Sequence, residues 1–169
     1  DNPSIIVFPA GKTYVRSQSI HIVGPRRYLI FWGYGATLSL TQTSTSGNGV
    51  RDAGIFFSGE FSNIDHIKIL GLTIAGSHTN AGTTLAYGFD GGIGIVIAGT
   101  SQDFEIADCH IYRTFSDAIE IYGDNTIYHQ ASRIDIHHNL LELTGRNVIV
   151  PDQGRDVHIE WNILRDSAM

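Results

Sequence analysis

A chain of 169 residues, 42% hydrophobic and 17% charged, has the material for one packed domain and not for a disordered tail. Eleven basic against seventeen acidic residues give a net charge of −6, which argues against the basic face that a nucleic-acid partner needs. No apolar run is long enough to cross a bilayer as a helix, so no membrane partner is expected, and the lone Cys109 excludes an internal disulfide.

The chain opens on IIVFPAGKTYVRSQSIHI, residues 5–22, in which short apolar runs are separated by the turn signal Pro9–Ala10–Gly11. YLIFWGYGATLSL, residues 28–40, repeats the habit, with Gly33 and Gly35 permitting a tight bend. Residues 1–50 therefore read as opening rungs, and residues 51–169 as about four copies of one unit, all within a single domain of residues 1–169.

Each unit begins with an apolar pair two residues apart: Ile55/Phe57, Ile95/Ile97, Ile119/Ile121 and Val148/Val150. A longer pattern follows, at Ile67/Ile69/Leu72/Ile74, Phe104/Ile106/Cys109/Ile111, Ile134/Ile136/Asn139/Leu141 and Val157/Ile159/Asn162/Leu164. Period-two alternation means strands with one buried face. The three-residue step inside the longer pattern breaks that alternation, so the chain must turn a corner there. Successive copies lie 37, 30 and 23 residues apart, the longer ones carrying inserted loops at 75–90 and 123–132. No helical stripe is present. A strand-only repeat of this length predicts an all-β solenoid, a parallel β-helix whose equivalent side chains stack about 4.8 Å apart from rung to rung.

The register assigns several polar residues. Asn139 and Asn162 share an inward corner and are expected to form a hydrogen-bonded ladder, with Leu72 and the inert Cys109 filling the same place in earlier rungs. Glu105 stacks beside Lys68, Asp135 beside His158 and His137 beside Glu160, a checkerboard of charges on an outer surface. Neighbouring strand residues point to opposite faces unless the corner intervenes, and further ligands would have to come from another rung, so His137 and His138 are not expected to share a metal ion, and no metal site is predicted. After Leu164 the spacing calls for another strand just past Met169, and no helix caps the front; the chain reads as a piece of a longer solenoid lacking its caps.

The letters Val7–Phe8–Pro9–Ala10–Gly11, Tyr14, Ile20/Ile22 and Gly33/Gly35–Ala36–Thr37–Leu38 resemble the opening rungs of the pectate-lyase-like superfamily of right-handed parallel β-helices. That superfamily includes polysaccharide lyases, glycoside hydrolases, uronate epimerases and bacteriophage tailspikes. The resemblance implies an extracellular protein with a polysaccharide as partner. It implies no cofactor, except calcium in the case of a uronate lyase. YGFDGG, Tyr87 to Gly92, is similar to the site loop of alginate epimerases, but Asp90 is followed by Gly–Gly and not by Pro–His. The Asp–Asp and Gly–His–Gly signatures of polygalacturonases are absent.

Two functions follow as expectations. In the first, a glycan lies in a groove along the short-strand column, where Glu120 is the lone charge among the outward Phe56, Val96 and Ile149. An apolar setting would favour a protonated Glu120 as general acid, with Asp117 or Asp152 as its partner in a hydrolase, or Arg146 facing a uronate in a lyase. Tyr87, Asp90, Tyr122, Tyr128 and His129 would supply ring faces and acceptors for sugar. In the second, the chain is a non-catalytic glycan-binding or structural segment of a tailspike or fibre, a homotrimer joined through the apolar stripe of Phe56, Val96 and Ile149.

Overall fold

The computed structural model describes residues 3–41, 52–59, 63–83, 91–123 and 130–168. Among them are seventeen strands and no helix. Taken coil by coil they are β1 (Ser4–Val7), β2 (Thr13–Arg16) and β3 (Ile20–Val23); β4 (Arg26–Trp32), β5 (Thr37–Leu40) and β6 (Ala53–Gly59); β7 (Ile64–Leu70), β8 (Thr73–Ala75) and β9 (Ile93–Gly99). The later coils hold β10 (Gln102–Ala107), β11 (His110–Tyr112) and β12 (Ile119–Tyr122); β13 (Ser132–His137), β14 (Leu140–Thr144) and β15 (Ile149–Val150); and β16 (Arg155–Glu160) with β17 (Ile163–Ser167).

Every third strand pairs in parallel with its counterpart one coil away. The first sheet runs β1-β4-β7-β10-β13-β16, the second β2-β5-β8-β11-β14-β17 and the third β3-β6-β9-β12-β15. Three parallel sheets wound by one chain in sequence order make a right-handed parallel β-helix, the hand that parallel crossovers adopt. The core is the stack of inward side chains. Ile67, Phe104, Ile134 and Val157 form one column, and Ile69, Ile106, Ile136 and Ile159 the next, as the repeat predicts. Leu38, Ile74, Ile111, Leu141 and Leu164 line the second sheet.

The third sheet departs from the expected register by one residue. Ile149, not Val148, lies opposite Ile119, and Val150, not Ile149, lies opposite Glu120. The cause is a bulge: the Val148 carbonyl accepts from the amides of both Ala118 and Ile119, at 3.2 and 3.1 Å.

The inward corner between the first and second sheets carries the asparagine ladder. Asn139 Nδ2 donates to the Ile106 carbonyl at 2.9 Å and to Asn162 Oδ1 at 3.0 Å, while its Oδ1 accepts from the Cys109 amide at 2.9 Å. Asn162 repeats the arrangement one coil on, accepting from the Asn139 amide and donating to the Ile136 carbonyl. Each amide therefore closes the corner of two coils. Burial pushes the Cys109 thiol in the same column up to about 12, so it acts as an apolar filler.

The bends use left-handed backbone at non-glycine residues. Tyr28, His66, Asp103, Arg133 and Asp156 have φ between 54 and 57°, and each stands one residue before the first inward column. A second such column runs through Gly71, Asp108, His138 and Trp161 at the asparagine corner. L-residues adopt this conformation at a cost, so its recurrence in register fixes where each coil turns.

Candidate functional site

The residues predicted for chemistry fall on the third sheet and its flanks. Asp117 is fully buried just before β12. Its carboxylate accepts from Arg146 Nη2 at 3.0 Å, Ser116 Oγ at 2.9 Å, the Asn147 amide at 2.9 Å and Asn147 Nδ2 at 3.2 Å. The expected Asp117–Arg146 pair is present, and it ties two successive coils together at a place closed to solvent.

Glu120 is only 4% exposed, between Val96 and Val150, so it does not stand in an open groove. Around Glu120 the outward side of this sheet is covered as well as the inward side. Val96 and Ala98 are fully buried beside Glu120, and Phe56 and Tyr122 pack on the same small cluster. Within the stripe expected to join copies, Val96 is buried and Phe56 and Ile149 are half-buried. Asp152 is exposed, on the turn after β15. Tyr87, Asp90, Tyr128 and His129 lie outside the described residues.

The open concavity lies on the outer face of the first sheet. It is a trough of about 580 Å³ that crosses four coils. Its two walls are ladders two residues apart. One is the left-handed ladder Tyr28, His66, Asp103 and Arg133; the other is Ile30, Lys68, Glu105 and Asp135. Ile67 and Phe104 lie between them at the base, and Pro3 lines one end. The local cause is the bend at the first ladder, which turns the chain just before each strand enters the core.

Chemical character changes along the trough. Toward the first coils it is apolar and aromatic, with the Tyr28 and His66 rings 4.6 Å apart and tilted by 38°. Toward the later coils it is ionic. Arg133 clamps Asp103 through two hydrogen bonds of 2.6 and 2.8 Å. Lys68 Nζ sits 2.5 Å from Glu105 Oε2, and His137 Nε2 is 3.6 Å from Glu105 Oε1. Beside the trough, Asp65 accepts from Arg27 Nε at 2.8 Å and contacts His66 Nδ1 at 2.7 Å.

These contacts set the titration of the walls. The Arg133 hydrogen bond holds Asp103 below the usual carboxylate range against the opposing effect of burial. Burial pushes Asp65 upward, but the Arg27 and His66 hydrogen bonds outweigh it and leave the carboxyl below its ordinary value. Both stay ionised to lower pH than an ordinary carboxylate. Glu105 and Asp135 are direct partners on adjacent strands, two carboxylates side by side in the order Lys68, Glu105, Asp135, His158.

Two features adjoin the trough at the asparagine corner. Tyr34 lies over Gly71, where any Cβ would collide with its ring, and donates to Asp108 Oδ2 at 2.5 Å. That hydrogen bond raises the phenol to about 12. His137 and His138, expected on opposite faces, come together with their Nδ1 atoms 2.8 Å apart. The left-handed backbone of His138, φ 55°, swings its ring to the side of its neighbour.

Among the described residues, no three His, Cys, Asp or Glu side chains converge where a metal ion could sit. The sequence reading took Glu105, Asp135 and His137 as outer-surface charges and did not single out Tyr28, His66, Asp103 or Arg133. Their signal was present: each is a large polar or aromatic residue at the position just before the first apolar letter of a repeat. Comparison with protein-family models, curated proteins and solved structures returned no match.

Proposed function

We propose that the protein handles an extended polysaccharide outside the cell, with the glycan lying along the trough on the first sheet, parallel to the β-helix axis. The observation that carries this reading is the trough itself, a 580 Å³ concavity with a Tyr28–His66 platform at one end and three carboxylates and two cations along the rest. Aromatic faces pack on the apolar side of sugar rings, and carboxylates accept from sugar hydroxyls. An extended chain lying across successive rungs would meet the same two walls at each coil.

Glu105 and Asp135 make hydrolysis the preferred chemistry. Their strands lie one sheet spacing, about 4.8 Å, apart, close to the separation of about 5–5.5 Å used by retaining glycosidases. Glu105, paired with Lys68, suits the carboxylate that attacks the anomeric carbon as the glycosidic bond breaks. Asp135 gives its proton to the leaving oxygen and recovers one from the water that releases the sugar from Glu105. A second reading, glycan binding without cleavage as in a tailspike segment, is favoured by one observation. The trough cations are already matched to acids, Lys68 to Glu105 and Arg133 to Asp103, as suits a recognition surface with no chemistry to perform.

Affinity electrophoresis against a panel of neutral and acidic polysaccharides, with assays for new reducing ends and for unsaturated uronide, separates the two. The hydrolase reading expects a bound glycan to be cut, with Asp135→Asn lowering turnover by about 10²-fold or more while binding survives. Binding without cutting selects the recognition reading. Absence of binding across the panel overturns both.

A further inference from the structure

We infer that His137 and His138 form a chelating site for a divalent transition metal, copper(II) above all. The inference does not depend on the glycan reading. It rests on the distance between the two Nδ1 atoms, 2.8 Å, and on the backbone that enforces it.

Residues adjacent in a strand cannot normally act together, because their side chains leave opposite faces. Here β13 ends at His137, and His138 enters the corner with φ 55°, which places both imidazoles on the same outer edge. The rings are nearly perpendicular, 87° between planes, with centroids 5.1 Å apart. His138 is exposed and His137 half-buried, so a hydrated ion can reach both. The Trp161 indole lies nearly parallel to the His138 ring from the next coil, at 6.5 Å and 17°.

In the metal-free protein, one Nδ1 donates its proton to the other. A metal ion replaces that proton. Among divalent first-row ions, copper(II) binds such nitrogen donors most strongly. Turning the lone pairs from each other toward a common point needs only rotation about χ2 of each histidine, a broad torsion. Water completes the coordination. Glu160, the partner of His137 on the next coil, and Glu105, 3.6 Å from His137 Nε2, place negative charge near the cation.

The test is titration of the 169-residue chain with copper(II) at neutral pH, followed by calorimetry and by electron paramagnetic resonance. One tightly held ion with splitting from two nitrogens is expected. Affinity should fall at least tenfold in His137→Ala and in His138→Asn, and stay unchanged in His158→Ala. Asparagine is chosen at 138 because it tolerates positive φ, so the corner keeps its fold; strand circular dichroism checks this. Copper held as tightly by either variant, splitting from a single nitrogen, or no tight ion at all overturns the site.

Discussion

The asparagine ladder offers the sharpest test of the fold, because its members are coupled by geometry. Asn139→Leu removes three side-chain hydrogen bonds at once and leaves the Cys109 amide and the Ile106 carbonyl unpaired inside the corner. At about 1–3 kcal/mol for each of the two buried groups left without a partner, the loss is roughly 2–6 kcal/mol. Asn162→Leu orphans the Asn139 amide and the Ile136 carbonyl, but this corner is only half-buried, and water reduces the loss to about 1–3 kcal/mol. The bond from Asn139 Nδ2 to Asn162 Oδ1 is lost in either single variant and can be lost only once. The double variant should therefore be less destabilised than the sum of the two by about 0.5–1.5 kcal/mol. Urea unfolding of the four proteins, followed by far-ultraviolet circular dichroism, measures the difference. Losses that add to within about 0.3 kcal/mol would refute the ladder as a coupled unit.

Two further outcomes follow from groups held in place by their neighbours. The Tyr34 phenol should ionise near pH 12 in an ultraviolet titration, and Asp108→Asn should bring it back toward the ordinary value, because the hydrogen bond to Asp108 favours the neutral phenol. The sign for stability follows: this contribution is whole below the ordinary phenol value of about 10 and fades as pH rises through about 12. Asp117→Ala should cost about 2–4 kcal/mol in denaturant midpoint, since it strips the acceptor from Ser116, Asn147 and Arg146 in a fully buried setting; a loss below about 1 kcal/mol would show that the network does not hold the coils together.

Period-two alternation and the fixed three-residue corner were enough to place the first and second sheets. A slip of one residue would have turned Ile67, Phe104 and Ile134 out to solvent, so the register of those strands had one solution. In the last rung of the third sheet, Val148, Ile149 and Val150 are all apolar, and no pattern could choose among them; the bulge chose Ile149. The site was harder to read. Glu120 looked exposed because an outward strand position normally is, yet β9 is buried on both faces and Glu120 shares that burial. The trough arises from left-handed backbone at Tyr28, His66, Asp103 and Arg133, residue types that do not announce such a conformation. His137 and His138 were expected on opposite faces unless the corner intervened, and the left-handed backbone of His138 is that corner. Asp117 with Arg146, Glu105 with Lys68, and Asp135 beside His158 were legible because they need only the rung spacing.

The central claim is where a glycan lies. Amide proton–nitrogen correlation spectra of the labelled chain, recorded while adding an oligosaccharide from whichever polysaccharide it retains, test it directly. Shifts concentrated at Tyr28, His66, Asp103, Glu105, Arg133 and Asp135 are expected, with Val96, Glu120 and Val150 unmoved. Shifts centred on Glu120 and its neighbours, with the trough silent, would contradict it and return the site to the third sheet.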